Sequence, residues 1–252
     1  VRKSSQKKLQ STKHQMKKNN LWTQGVPKEV VRGVVAWENC LEVPEGIIDS
    51  MNEDVDLWKE AQSKSQTQTE SGKSIYNSNG PIRFDPEQEF TKEIHYKFLR
   101  QIQSNSLNKA AQYFGLFPDV ELEINWMEKY QYITYRPPKH MTFHSDNHSV
   151  RNPKTNKYYI APYMRRITIL TYLNDDFMGG ALKFRYFPEA DPYKPPAGSV
   201  VIMPSSYVYS HATTPLLNGR KAAFLVSLSS NFDMDSYNSG RPLDEIKMRE
   251  LA

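Results

Sequence analysis

One cysteine, Cys40, stands in the 252 residues, so no disulfide can close within the chain. That scarcity fits a reducing compartment and gives a cytoplasmic expectation. No apolar run approaches the ~20 residues of a membrane-spanning helix. The first residues are polar and basic, so no secretory signal is expected. Acids are missing from residues 1–20, which hold Arg2, Lys3, Lys7, Lys8, Lys13, Lys17 and Lys18. Removing these seven cations from the formal +5 leaves about −2 for the remainder, so the basic balance describes a tail and not the folded body. Such a tail can attract nucleic acid or an acidic partner, or remain a solvated extension.

The 38% hydrophobic content is modest, and the 12% aromatic content fits a β-rich core. The length suits one large domain with extensions. Residues 1–30 read as a basic tail and linker, and 31–120 as a strand-and-helix support region. Residues 121–232 read as the core, with 31–232 forming one domain, and 233–252 as a polar C-terminal tail. Within the support region, Val34–Asn39 reads as a strand. Pro44 and Glu45 fit a first helical turn ahead of the apolar face Ile47, Ile48 and Met51. Residues 63–81 are polar and read as a loop, while Phe90–Ala111 is the best amphipathic helix, with His95 on its apolar pattern.

Five runs have strand composition: Gln131–Tyr135, Arg166–Leu173, Ala181–Phe184, Ser199–Met203 and Lys221–Ser229. Among them lie His144 and Asp146, and much later His211, in a loop with Pro204 and Pro215 around it. With 6 His and 12 Asp, chance alone supplies about 0.3 His-x-Asp triplets, so the triplet is weak by itself. Two imidazoles and one carboxylate on one face of a metal are, however, the ligand set of a non-haem Fe(II) site with positions left open. A competing arrangement is a zinc-binding helix through His140, His144 and His148, spaced i, i+4, i+8. Pro137-Pro138 and the turn-favouring Ser145-Asp146-Asn147 oppose that helix.

Ten residues after His211 comes Lys221, preceded by Arg220; either cation could hold a dicarboxylate. Side chains alternate along a strand, so only one of the two can point inward. With Lys221 inward, Ala223, Leu225 and Ser227 share its side, while Phe224, Val226 and Leu228 pack outward against helices. Small residues suit a cavity, which favours Lys221. Thr168 and Tyr172 share parity and face one side together.

This order of residues resembles the prolyl 4-hydroxylase-like branch of the 2-oxoglutarate/Fe(II) dioxygenases. The matching stretch runs from about Glu128 to Ser230. It comprises Tyr135, His144-x-Asp146, Arg165-x-x-Thr168, Tyr172-Leu173-Asn174, Gly179-Gly180, Ala197-Gly198-Ser199, and His211 followed by Pro215, Gly219 and Lys221. Pro138, Met141, Ala181 and Leu182 depart from the residues common in that family. The resemblance implies a mainly β fold with flanking helices around a double-stranded β-helix (jelly roll, cupin-like) core. It implies His144, Asp146 and His211 as ligands of Fe(II). Lys221 is then the anchor of 2-oxoglutarate, with hydroxyl contacts from Tyr135, Thr168 and Tyr172, and Arg165 is a substrate contact. It further implies O2 as co-substrate, ascorbate as a supporting reductant, and decarboxylation of 2-oxoglutarate to succinate coupled to hydroxylation of an unactivated C–H bond. A peptidyl proline is the expected substrate and a peptide or protein the expected partner.

Two other functions compete. Oxidative demethylation of nucleic acid draws on the basic tail, but the second Arg usual in that branch is missing: positions 226 and 227 hold Val226 and Ser227. A non-catalytic jelly-roll binding module would require loss of a site whose three ligands and cation are all present.

Overall fold

The computed structural model describes residues 25–66, 82–84, 90–121, 124–147, 149–151, 158–160, 163–231 and 240–242. In chain order these form β1 (Pro27–Val31), β2 (Val34–Trp37), α1 (Ile47–Gln66), β3 (Ile82–Phe84), α2 (Glu93–Leu116), α3 (Pro118–Glu121), β4 (Trp126–Glu128) and β5 (Gln131–Tyr135). There follow β6 (Ser149–Arg151), β7 (Tyr158–Ile160), β8 (Tyr163–Tyr172), β9 (Met178–Gly179), β10 (Leu182–Phe184) and β11 (Ser199–Pro204). The remaining strands are β12 (His211–Thr213), β13 (Leu216–Asn218), β14 (Lys221–Asn231) and β15 (Gly240–Pro242).

The major sheet is antiparallel, with a central path β1-β2-β11-β8-β14-β4-β15. The long strand β14 serves two partners on one edge: Lys221–Leu225 pair with β5, and Leu228–Ser229 with β4. Strand β3 extends the sheet beyond β5. Three short pairs, β10-β12, β13-β9 and β6-β7, lie outside it.

Alternation of side chains divides the apolar residues into two cores, as the pleat requires. Val35 and Trp37 of β2, Ile167 and Ile169 of β8, Val200 and Ile202 of β11, and Phe224, Val226 and Leu228 of β14 pack on one face. Helix residues Ile47, Met51, Val55, Phe98, Ile102 and Tyr113 cover that face. The opposite parity gives Leu170 and Tyr172, Val201 and Met203, and Ala223 and Leu225, which pack with Leu182 and Phe184 of β10 and Leu216 of β13. The second core is therefore the interior of a double-stranded β-helix, with a helical layer on the outside of the major sheet.

Several expectations shift in detail. Pro27–Val31, placed largely in the tail, is strand β1, which pairs with β2 at Pro27↔Trp37. Its first residues are exposed, so alternating apolar character was weak there. Helix α1 continues to Gln66, into the segment read as a loop. Helix α2 runs Glu93–Leu116 and not Phe90–Ala111. Phe90 stays outside it, packed against His95 and Tyr132. His95 is fully buried, with Nδ1 3.1 Å from Asp54 Oδ2 and Nε2 3.0 Å from Ser50 Oγ, and clamps α2 to α1. No described helix is long and apolar enough to cross a membrane. Residues 1–24, most of the 63–81 loop, His148 and the segment 243–252 lie outside the described residues.

Candidate metal centre and its cavity

The two histidines meet because the chain pairs with itself across the barrel. Strand β12 lies against β10, with Phe184 opposite His211. On its other edge it receives the segment before Asp146. His144 N–H donates to His211 O at 3.0 Å, and His211 N–H donates back to His144 O at 2.8 Å. Thr213 N–H donates to Met141 O at 3.1 Å and extends the ladder. Residues directly opposite in an antiparallel pair project on the same side, and the two imidazole rings lie 4.5 Å apart, centroid to centroid. Asp146, two residues beyond His144, returns to that side. One ligand atom from each of His144, Asp146 and His211 lies within 4.8 Å of the others. The His144 Nε2 to Asp146 Oδ1 distance is 3.5 Å, and His211 Nε2 to Asp146 Oδ2 is 3.7 Å.

Each ring is held in the orientation a metal needs. His144 Nδ1 lies 2.7 Å from Thr142 O, and His211 Nδ1 lies 3.1 Å from Tyr209 O. A carbonyl only accepts, so each Nδ1 carries the proton and each Nε2 lone pair is free to face Asp146. Burial favours the neutral acid at Asp146. The neighbouring imidazoles and the Thr168 hydroxyl outweigh it and hold the carboxyl well below its usual range. Burial lowers the His211 pKa, which favours the neutral ligand form. The donor set fits a borderline divalent metal such as Fe(II). Residues 140–147 contain no helix, so the zinc-helix alternative finds no support there.

A cavity opens beside the ligands, lined by Tyr135, Leu170, Tyr172, Leu182, Thr213, Lys221, Ala223 and Leu225 together with His144, Asp146 and His211. Lys221 projects into it. Its Nζ donates to Gly180 O at 2.8 Å and sits over the Tyr172 ring at 4.8 Å and the Tyr135 ring at 5.3 Å. Burial pushes the ammonium pKa down to about 7. No carboxylate among the described residues forms an ion pair with it. Arg220 points to the other side of β14, where it bonds Thr134 Oγ1 at 2.9 Å and Asp56 at 3.1 Å. Sequence parity had ordered the two cations the same way. A larger cleft, about 570 Å³, lies on Arg220's side between α1 and the turn after β8, and includes none of the three ligands.

Two residues have partners that sequence reading did not assign. Thr168 Oγ1 donates to Asp146 Oδ2 at 2.7 Å. Arg165 is neither exposed nor open: its Nε and Nη2 each bond Glu128 at 2.6 Å in a buried bidentate pair. Strict alternation from Ile167 would turn Arg165 toward the helices. One extra residue in β8, between the pairs Leu228↔Ile167 and Ser229↔Arg165, reverses its direction. Glu128 lies beside Met127, which packs in the helix-facing core, so the pair occupies the opposite face. Ser205, Thr142 O, Tyr209 O and Gly180 O were missed. Only the Gly179-Gly180 pair left a signal in the sequence.

Residues 130–227 match the family model of the 2OG-Fe(II) oxygenase superfamily. Solved structures similar to this chain include a viral collagen prolyl hydroxylase from Paramecium Bursaria Chlorella virus-1 in its 2OG complex, 14% identical, with 79% of this chain and 96% of that chain covered and a TM-score of 0.48. A prolyl-4-hydroxylase from Pseudomonas putida is 16% identical over 78% of this chain and 91% of that chain, with a TM-score of 0.44. A prolyl hydroxylase from Trichoplax adhaerens, in complex with a hypoxia inducible factor oxygen degradation domain peptide fragment, is 14% identical over 79% and 84%, with a TM-score of 0.48. No curated protein matches the chain.

Proposed function

We propose, from the match of residues 130–227 to the family model of the 2OG-Fe(II) oxygenase superfamily, that the chain is a prolyl 4-hydroxylase-like hydroxylase acting on a peptidyl proline. The observation that supports it best is a buried lysine, with no carboxylate partner among the described residues, in the same cavity as the His-Asp-His cluster. Charging a buried amine without a counter-charge is costly, so the cavity is suited to an anionic ligand that supplies one. The distal carboxylate of 2-oxoglutarate is such an anion, and Lys221 is its proposed anchor, flanked by Tyr135 and Tyr172. His144, Asp146 and His211 are the proposed Fe(II) ligands. When bound, Fe(II) with 2-oxoglutarate and O2 supplies oxidative hydroxylation coupled to formation of succinate and CO2, with ascorbate as supporting reductant. The chain's own residues orient these groups and exclude bulk water. Arg165, paired with Glu128 further along β8 from Thr168, is the residue proposed to border the substrate.

The test is turnover of 2-oxoglutarate to succinate by the purified chain with Fe(II), ascorbate and proline-containing peptides. Product above a His144→Ala control, with hydroxyproline found in the peptide by mass spectrometry, supports the reading. Succinate that appears only with methylated oligonucleotides would replace it with nucleic-acid oxidation. A folded chain that binds neither Mn(II) nor 2-oxoglutarate would leave a jelly-roll binding module.

A further inference from the structure

The three ligands are not oriented in the same way. His144 and His211 are each fixed by a main-chain carbonyl two residues earlier, Thr142 O and Tyr209 O. Asp146 is oriented by a side chain. Thr168 Oγ1 donates to its Oδ2 at 2.7 Å, and Ser205 Oγ lies 3.0 Å behind Thr168 Oγ1. Thr168, Ser205 and Asp146 are all buried, at 0%, 2% and 8% exposure, so water does not readily replace either hydroxyl.

The proton direction follows from the acceptor. An ionised carboxylate only accepts, so the Thr168 proton points to Asp146, and the Ser205 proton must point to Thr168. Ser205 is itself fixed by its backbone. Its N–H donates to Arg166 O at 2.9 Å, and its carbonyl accepts Asn147 N–H at 2.8 Å. The serine therefore ties the strand that carries Thr168 to the loop that carries Asp146.

We infer that Ser205 and Thr168 form a hydroxyl relay that holds Asp146 Oδ2, the oxygen 3.7 Å from His211 Nε2, and so leaves Oδ1, 3.5 Å from His144 Nε2, as the one oxygen that binds the metal. This rests on the metal-centre reading above. The consequence concerns coordination number. An aspartate bound through one oxygen leaves three of six octahedral positions open on the metal. Binding through both oxygens closes one of them, and a two-point cosubstrate together with O2 then no longer fits. Thr168 and Ser205 are thus positioning residues that preserve an open position without touching the metal. Hydrogen-bond partners of this kind typically change metal affinity about tenfold to hundredfold when removed.

The test uses Mn(II) alone as the probe, on the full chain, with affinity from calorimetry and the number of exchangeable metal-bound waters from water-proton relaxation. Thr168→Val, which keeps the branched shape and removes the hydroxyl, is expected to weaken Mn(II) roughly tenfold or more and to lose one exchangeable water. Thr168→Ser is expected to restore both, and Ser205→Ala to give a smaller loss of affinity. A folded Thr168→Val variant with unchanged affinity and water count overturns the relay. If that variant fails to fold, Ser205→Ala decides, and wild-type values there overturn it equally. Failure of the underlying reading looks different: the unmodified chain would bind Mn(II) no better than His144→Ala does.

Discussion

Lys221 Nζ donates to the carbonyl oxygen of Gly180 at 2.8 Å, which holds the ammonium at the wall of the cavity and over the ring of Tyr172. The sequence neighbour Arg220 turns the other way, to Asp56. One step along β14 therefore separates a cation facing the metal centre from one facing the outer cleft.

Lys221→Met is expected to weaken 2-oxoglutarate roughly tenfold to hundredfold, the range for losing a hydrogen bond to a charged group. Arg220→Gln is expected to change it less than about threefold, since rim charges contribute little. Anaerobic calorimetry with Mn(II) and 2-oxoglutarate measures both. Equal losses in the two variants would contradict the division of labour.

Binding should also be pH-dependent. The Lys221 pKa is lowered to about 7 by burial, from an ordinary value of 10.5. Between these values the unfolded chain holds the proton and the folded, ligand-free chain does not. This group therefore opposes folding most below pH 7, and its cost falls as pH rises toward 10.5. A dicarboxylate restores the charged form, so its binding above pH 7 takes up a proton. Affinity is expected to fall by up to about tenfold per pH unit above 7. Calorimetry in buffers of different ionisation enthalpy reads the proton directly; no uptake at pH 8 to 9 would refute the assignment.

His95 gives the opposite edge of the pH range. Burial holds its pKa below the ordinary 6.5 despite the Asp54 carboxylate. Below 6.5 the unfolded chain protonates first, so stability is expected to fall as pH drops through that value and to level off once the folded histidine also takes its proton. Denaturant unfolding at a series of pH values measures this. His95→Leu should remove this histidine's contribution to the slope. It should also cost about 1–3 kcal/mol by leaving buried Asp54 without that partner.

Gly179 has φ +78°, and a Cβ there would stand 2.0 Å from the Pro215 carbonyl oxygen. Gly180 has φ +66°, and its nearest obstacles are side chains, at 3.1 Å from Leu216 and Phe177. Gly179→Ala is therefore expected to destabilise more than Gly180→Ala, by about 2 kcal/mol or more against wild type, because backbone cannot step aside. Gly180→Ala, 3.4 Å from Lys221 Cδ, should instead act mainly on 2-oxoglutarate affinity. Thermal unfolding and calorimetry separate the two effects.

The strand pattern of the core was legible because burial on both faces of β8, β11 and β14 leaves continuous apolar runs with turn residues between them. Period two required that only one of Arg220 and Lys221 face inward, and the small residues sharing parity with Lys221, with the resemblance, favoured Lys221. What could not be read was partnership. Parity put Thr168 on the interior face but could not tell a cosubstrate from the Asp146 carboxylate. The direction of Arg165 depended on a one-residue bulge, which breaks the count that parity relies on. Strand β1 exists through its pairing with β2, a long-range term absent from its exposed first residues. Helix α2 starts later than its apolar pattern does, because Phe90 is buried by packing on His95 and Tyr132 and not by helical periodicity.

The reciprocal bond between the main chains of His144 and His211 has a thermodynamic side as well. Both histidines become ligands only once the long stretch between them has closed into a loop, and an unfolded chain offers no such convergence. An ion that bridges them acts as a removable staple across that loop. Chelation should then lower the temperature of unfolding, and free metal should raise it in proportion to the logarithm of its concentration. On the proposed reading of this cluster as an iron site, the stability of the barrel tracks the free ion around it.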